Sequence, residues 1–462
     1  MKCARMSQLR AQSSRSSFPR GMALLVAGAF FMEILDATII APAIPRIAGS
    51  LGVAAVDVNV AISAYIVTVA VLIPATGWMA DRFGVRCVFA TAIAVFTIAS
   101  IGCAASVSLP MLVGVRVLQG TGGAMMVPVG RLAVLRHSDK SNLVRAIALL
   151  IWPALAAPVI APALGGAIAT FVSWRWIFLI NIPIGIVGFL LAFKLIRGEP
   201  TPSVRSLDWR GMLLLGIGIS ALLVALEHIR VSGTNWLFVG MGCAVAAVLL
   251  GCATWHLLRS NAPLMQLRVL RVETLRITVT AGSLYRMVIT AVPFLLPLQF
   301  QLVFGCTPFV SGLMVAALFM GNLTIKPATT PLMRRFGVRR VLLVNGIASV
   351  GCFGLLTLLR PGLPVVVIVV ILYLSGALRS IGFTAYSSLA FSSVDGDDLT
   401  HGSTLNASVQ ELAAGLGIAV AAMLLTLTSS FPYAYLVLGA LLAVTLVETL
   451  LLPHDAGSHV SG

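Results

Sequence analysis

The sequence predicts an all-α, polytopic membrane protein: two six-helix bundles with a further pair of transmembrane helices between them. Three observations carry that prediction. The 462 residues are 59% hydrophobic and only 10% charged, with a mean hydropathy of +1.03, whereas soluble domains carry about 25% charge. A chain this apolar would leave extensive apolar surface in water, so lipid is the solvent for most of it. Its apolar residues fall in runs of about 20 or more, the length that crosses about 30 Å of hydrocarbon. Finally, Arg82-Phe83-Gly84-Val85-Arg86 returns unchanged as Arg335-Phe336-Gly337-Val338-Arg339, 253 residues later. Each copy follows the second apolar run of its half, the mark of an internally repeated membrane protein.

Residues 1–20 hold five basic residues and no acid, and apolar sequence begins at Met22. That run exceeds a signal h-region and contains Glu33 and Asp36 with no small-residue cleavage site, so 1–20 reads as a cytoplasmic tail before an uncleaved span. The N-terminal bundle, 21–194, has expected helices at 21–45, 56–80, 87–107, 109–134, 144–170 and 175–194. The region 195–272 holds a polar stretch, two extra spans at 210–227 and 236–257, and a linker. The C-terminal bundle, 273–452, has expected helices at 275–300, 306–330, 340–360, 363–390, 402–428 and 432–452, before a cytoplasmic tail at 453–462.

Charge asymmetry supports this count. With a cytoplasmic N-terminus, 24 of the 31 Lys and Arg fall inside, 4 outside and 3 within spans. An odd error in the number of spans would scramble that split. The net charge of +16 therefore reads as a topology signal spread over short loops, with no basic groove for nucleic acid. Seven cysteines without a C-x-x-C pair and six histidines without ligand spacing leave no metal site. The phosphate-cradling G-x-x-x-x-G-K-[ST] motif is absent too, so neither a cofactor nor self-contained ATP drive is expected. With no loop longer than about 17 residues, binding has to occur inside the bundle. An enzyme is not expected, for want of a nucleophile–base pairing or an external domain.

The repeated pentad belongs to the charged stretch Gly77-Trp-Met-Ala-Asp81-Arg82-Phe-Gly84-Val-Arg86, read as a tight loop. Gly84 and Gly337 let the backbone turn where a Cβ would crowd. Arg82, Arg86 and Arg339 hold the loops at the headgroups. Asp81 can accept from helix-terminal N–H groups or pair with a neighbouring arginine, a latch missing from the second copy, which has Arg334 there.

Charges inside spans are the candidate functional residues. Glu33 and Asp36 lie roughly 18 and 22 Å along the first helix, near mid-depth, and their i,i+3 spacing puts both on one face. Two nearby carboxylates disfavour joint ionisation, a property suited to a proton carrier. Asp36, with Glu33 as a second candidate, is expected to carry the proton; the alternative is that one of them only anchors the helix through hydrogen bonds. Arg116 and Gln119 share a face of the fourth span, and Gly120 and Gly123 permit close helix approach. Arg116 either makes proton release depend on its distance from a carboxylate or is a static ion-pair partner. The fifth span carries Pro153, Pro158 and Pro162 before Gly165 and Gly166, a bent, thin-faced helix suited to a rocking interface. Arg286 occupies the repeat position of Glu33, which suggests a cross-cavity pair, and Arg379 is a further cation in a span. Glu411 reads as a headgroup-level residue. Tyr65, Phe294, Gln299, Gln301, Tyr386 and Asn406 either line a cavity or pack.

Together these landmarks resemble the fourteen-span drug:proton antiporters of the major facilitator superfamily, over nearly the whole chain. Leu35-Asp36-Ala-Thr-Ile-Ile-Ala-Pro-Ala-Ile-Pro45 looks like the first-helix motif and Gly77–Arg86 like the cytoplasmic loop motif. Arg116-Val-Leu-Gln119-Gly120-Thr-Gly122-Gly123 is similar to the fourth-helix motif linked to proton transfer, and Pro158-Val-Ile-Ala-Pro162-Ala-Leu-Gly165-Gly166 to the fifth-helix antiporter motif. The resemblance implies a major facilitator fold, alternating access, and proton-driven export of lipophilic or cationic small molecules across a bacterial inner membrane. A monomer in lipid is expected. Ala41, Ala157 and Ala161 depart from the family pattern, each at a position where that pattern has asparagine or glycine. A proton-coupled metabolite exporter or importer, and a structural or sensory membrane protein without flux, are the alternatives.

Overall fold

The computed structural model describes residues 20–136, 143–196, 206–228, 236–260, 263–390 and 396–451. Most of the expected tails, and the 197–205 stretch of the polar region, lie outside them. Apolar runs in lipid have no water to satisfy their backbone groups, so each closes its hydrogen bonds within a helix. Among the described residues every regular element is helical. The first half comprises α1 (Arg20–Ile39), α2 (Asn59–Leu72), α3 (Val85–Ala104), α4 (Leu109–Arg136), α5 (Leu143–Phe171) and α6 (Asn181–Leu195). The extra pair is α7 (Trp209–His228) and α8 (Trp236–Arg259). The second half comprises α9 (Ser283–Leu302), α10 (Pro308–Thr324), α11 (Val338–Thr357), α12 (Val365–Ala390), α13 (Gly396–Thr428) and α14 (Phe431–Leu450).

Twelve helices among the described residues are long and apolar enough to cross a membrane, thirteen when α10 and the bent continuation Lys326–Phe336 count as one span. α5 is 29 residues long, and its apolar stretch Leu155–Phe171 is shorter than those spans.

Prolines decide where helices bend, because each removes a donor and clashes with the preceding turn. Pro42 and Pro45 break the outer end of the first span into the 3-10 turn Ala41–Ala43 and the helix Ile44–Leu51. Pro74 similarly separates α2 from the helix Thr76–Phe83. The RFGVR stretches are therefore not loops as expected. Helix runs up to Phe83 and resumes at Val85, and only Gly84 (φ 80°) stands between them; Gly337 (φ 77°) does the same between Phe336 and Val338. A left-handed φ at one residue suffices to reverse the chain, and glycine adopts it without a Cβ clash. α13 also begins earlier than expected, at Gly396 rather than near residue 402.

The two halves pack by the same pairing rules, shifted by the repeat. In the first, α3 packs on α4 and α6, α2 on α4, and α1 on α5. In the second, α11 packs on α12 and α14, α10 on α12, and α9 on α13. Two seams join the halves, α5 against α10 and α2 against α13, each pairing a second helix of one half with a fifth helix of the other. Small residues make the first seam close. A Cβ on Gly166 would collide with the Pro308 carbonyl, and one on Gly312 with that of Pro162. The extra pair leans on the second seam, through Ile219 and Leu223 of α7 against Val67 of α2 and Ala419 of α13.

Candidate transport site

A buried ion pair anchors the first half. Asp36 of α1 and Arg116 of α4 are both fully inaccessible, with Arg116 Nη1 2.5 Å from Asp36 Oδ2. A carboxylate in lipid needs a counter-charge and full hydrogen bonding. Asp36 has both: Gln119 Nε2 donates to its Oδ1 at 3.0 Å and Asn181 Nδ2 donates to the same oxygen at 2.7 Å. Gln119 closes the ring by accepting from Arg116 at 2.7 Å and donating to Ser100 Oγ at 2.9 Å. Arg116 Nε also reaches the Ala61 carbonyl at 3.4 Å. Four helices, α1, α3, α4 and α6, are thus tied at one point, with α2 contributing a carbonyl. Sequence reasoning does not single out Asn181 or Ser100. The available signal is an asparagine alone in the apolar run around Ile180-Asn181-Ile182.

Tyr65 connects this pair to Glu33. Its ring lies under the Arg116 guanidinium, 4.3 Å to the centroid, and its hydroxyl donates to Glu33 Oε1 at 3.0 Å. The α4 glycines make room, since a Cβ on Gly123 would press on the Tyr65 hydroxyl and one on Gly120 on Thr68 and the Tyr65 carbonyl. Glu33 is only half-buried, unlike Asp36 three residues on. Its electrostatic neighbours include Glu411 of the opposite half as well as Asp36 and Arg116. Glu33 therefore faces the interior between the halves, while Asp36 is enclosed within the first.

In the second half Arg286 of α9 pairs with Glu411 of α13, Nη2 to Oε1 3.7 Å. This corrects two expectations, that Arg286 pairs with Glu33 and that Glu411 sits at headgroup level. The repeat position supplies a base whose acid comes from its own half. Its guanidinium also sits 4.9 Å over the Phe383 ring of α12. Arg379 of α12 stacks on Phe319 at 5.6 Å. Lys326, one of the 24 basic residues counted on the inner side and placed near the end of the expected helix 306–330, donates from its Nζ to Thr384 Oγ1 of α12 at 3.0 Å.

The other candidates divide. Gln299 donates to the Leu359 carbonyl at 3.2 Å and accepts from Tyr435 at 3.0 Å, and Phe294 and Tyr386 are buried within the second half. Asn406 is half-buried with an unpartnered Oδ1. Gln301 crosses between halves, donating to the Pro42 carbonyl at 2.8 Å. Pro158 and Pro162 lie within α5, and Gly165 packs against the Ile39 carbonyl at the end of α1. In the RFGVR stretches, Arg339 donates to the Leu450 carbonyl at 2.9 Å, at the C-terminal end of α14. Arg86 covers Phe193 near the end of α6, at 5.9 Å. Arg339 thus caps the sixth helix of its half, where the helix dipole favours a cation, whereas Arg86 meets the last turns of α6 through the Phe193 ring alone. Gly77 starts the turn before Asp81 and Arg82 within the helix Thr76–Phe83. Among the described residues no His, Cys, Asp and Glu cluster could hold a metal ion.

Comparison with known proteins identifies the family. The chain matches the Major Facilitator Superfamily profile over residues 26–418 and again over 278–461. It is 37% identical over 410 residues to a protein of Cronobacter sakazakii named for multidrug resistance, MdtD, covering 87% of this chain and 85% of that one. The Klebsiella pneumoniae protein of the same name is 35% identical over 455 residues, covering 94% and 95%. The solved structure of a D-xylose-proton symporter superposes with a TM-score of 0.69 at 14% identity, covering 96% of this chain and 99% of that one, a likeness of fold. The chain is a member of the Major Facilitator Superfamily.

Proposed function

We propose that this protein is a proton-coupled antiporter that exports lipophilic or cationic small molecules, a multidrug efflux carrier working by alternating access. The names of its relatives support the substrate range, and the paired seams support rocking of 21–194 against 273–452. The region 195–272 would stay with the α2–α13 seam that its helices cover. The basic bias of the loops supports cytoplasmic termini in an inner membrane. The carrier acts as a monomer, with substrate and protons as its partners.

The observation that carries the coupling mechanism is the contrast between two carboxylates three residues apart. Asp36 has a guanidinium and two amide donors and no access to solvent. Glu33 has one phenol donor and an acidic neighbour across the interior. Glu33 is the group that gains a proton from outside and gives it up inside, in exchange for substrate. Asp36 and Arg116 hold the helices that present it, and Tyr65, touching both, communicates between them. Each proton entering at 100 mV supplies roughly 2.3 kcal/mol from the potential alone, enough for a substantial export gradient.

The test is flux in proteoliposomes with an imposed pH gradient, using ethidium as the cation. Glu33→Gln should abolish gradient-driven export while leaving downhill exchange of ethidium, and Glu33→Asp should restore part of the coupling. Gradient-driven export at the unmodified rate in Glu33→Gln overturns the assignment.

A further inference from the structure

Among the described residues the charges inside the helix bundle do not balance. Asp36 cancels Arg116, and Glu411 cancels Arg286. Glu33 remains in the first half, and Arg379 and Lys326 remain in the second, with no ion pair for either among the described residues. At 1.5 Å per residue, Arg379 stands roughly 21 Å from the start of α12, and Glu33 roughly 20 Å from the start of α1, so both lie near mid-span. Lys326 sits where α10 breaks by 46° into its continuation.

These cations converge from three segments. The Phe383 ring receives Arg286 at 4.9 Å and the Lys326 ammonium at 6.0 Å. Arg379 lies one turn away on α12 and feels the charge of Arg286. Two of the guanidinium nitrogens, Arg286 Nε and Arg379 Nη1, are inaccessible and have no hydrogen-bond partner. An aromatic face attracts a cation but supplies no full counter-charge. Protonating or deprotonating Glu33 does not cure the imbalance, because Arg379 and Lys326 have no acidic partner among the described residues either way. A low-dielectric interior with spare cations and idle donors is built to receive an anion.

We propose that Arg379 and Lys326, beside Phe383, dock the carboxylate of the transported compound. The interior between the halves then favours molecules that carry an anionic group in addition to the cationic or apolar part that meets Glu33. This rests on the reading of the interior between the halves as the transport site, and it ranks zwitterions above the simple cations that the same site takes. The ammonium end competes with the proton at Glu33, which preserves exchange, while the carboxylate end bridges to the opposite half.

Equilibrium binding to the purified full-length protein in detergent tests it, with naphthylalanine compared to naphthylethylamine. The two share ring and ammonium and differ in the carboxylate. Naphthylalanine should bind at least about ten-fold more tightly to the unmodified protein. Arg379→Gln should shrink the advantage to under about two-fold, and Arg379→Lys, which keeps the charge, should retain most of it. Lys326→Gln should reduce it as well, and serves as the probe if Arg379→Gln fails to fold. Absence of naphthylalanine binding, equal binding of the two compounds, or an advantage that survives both substitutions overturns the proposal. The readout needs no proton gradient. Its failure leaves proton coupling through Glu33 standing, whereas uncoupled flux with the carboxylate advantage intact would sink only the coupling.

Discussion

Replacing Asp36 with asparagine separates a structural charge from an exchangeable one. Both members of the Asp36–Arg116 pair are fully buried, so Asp36→Asn leaves a guanidinium without its counter-ion. Breaking a buried pair from one side costs about 3–5 kcal/mol. Here Arg116 keeps Gln119 Oε1 at 2.7 Å, the Ala61 carbonyl at 3.4 Å and the Tyr65 ring at 4.3 Å. The introduced amide would also still accept from Asn181 or Gln119, which places the expected loss at the lower end, about 3 kcal/mol. Removing the orphaned charge as well, in Asp36→Asn/Arg116→Gln, should recover more than half of it, because a neutral hydrogen-bonded cluster replaces an unpaired cation. The assay is thermal unfolding of the purified protein in one detergent, read by intrinsic fluorescence as a double-mutant cycle. Strictly additive losses, or an Asp36→Asn variant as stable as the parent, would show that Asp36 is not half of a locked pair.

The remaining expectations concern the seam, the caps and the extra helix pair. Gly312→Ala puts a methyl group against the Pro162 carbonyl, so it should cost about 1–3 kcal/mol of stability and slow transport; wild-type flux and stability would mean the α5–α10 seam is looser than it stands here. Gly84→Ala and Gly337→Ala each force a side chain into a positive-φ extended backbone that is essentially confined to glycine, at about 1–3 kcal/mol apiece, so similar thermal shifts are expected for the two, and an unshifted variant would remove the strain from that turn. Asp208, just before α7, accepts from Gly211 N at 2.9 Å and Leu264 N at 3.1 Å and contacts His256 Nε2 at 2.7 Å. Burial opposes its ionisation, but these bonds together hold its carboxyl below the ordinary value. A folded-state value below the unfolded one gives stability that is complete above about pH 4 and is lost as pH falls through the folded value. Asp208→Asn should therefore flatten the acid limb of a stability–pH profile, and an unchanged limb would remove Asp208 from the causes of acid sensitivity.

Much of the architecture is legible because lipid imposes a simple rule: every apolar run of sufficient length closes into a helix. The pentad repeat sets α1–α6 in register with α9–α14, which share one packing pattern, and glycine at the same register in each copy marks the chain reversals at Gly84 and Gly337. What the one-dimensional pattern cannot show is rotation about each helix axis. Glu33 and Asp36 share a face by spacing, yet one looks between the halves and the other inward, because a shift of one turn crosses the boundary of a thin bundle. Arg286 is recognisable as a span-interior base, but its partner Glu411 lies on α13, and no spacing rule reaches across 125 residues. Lys326 counts as one of the inner-side basic residues for a similar reason. A break at Ile325 turns a position near a span end back toward Thr384. Asn181 escapes notice because a neutral amide in an apolar run carries none of the cost that makes a buried charge conspicuous.

The division of labour between Glu33 and Asp36 is tested most directly by proton release on adding ethidium to the detergent-solubilised protein, followed with a pH dye in weak buffer. Release should occur in the unmodified protein, vanish in Glu33→Gln and persist in the Asp36→Asn/Arg116→Gln pair. Release that survives in Glu33→Gln and disappears in the double variant would reverse the assignment and return the proton to Asp36.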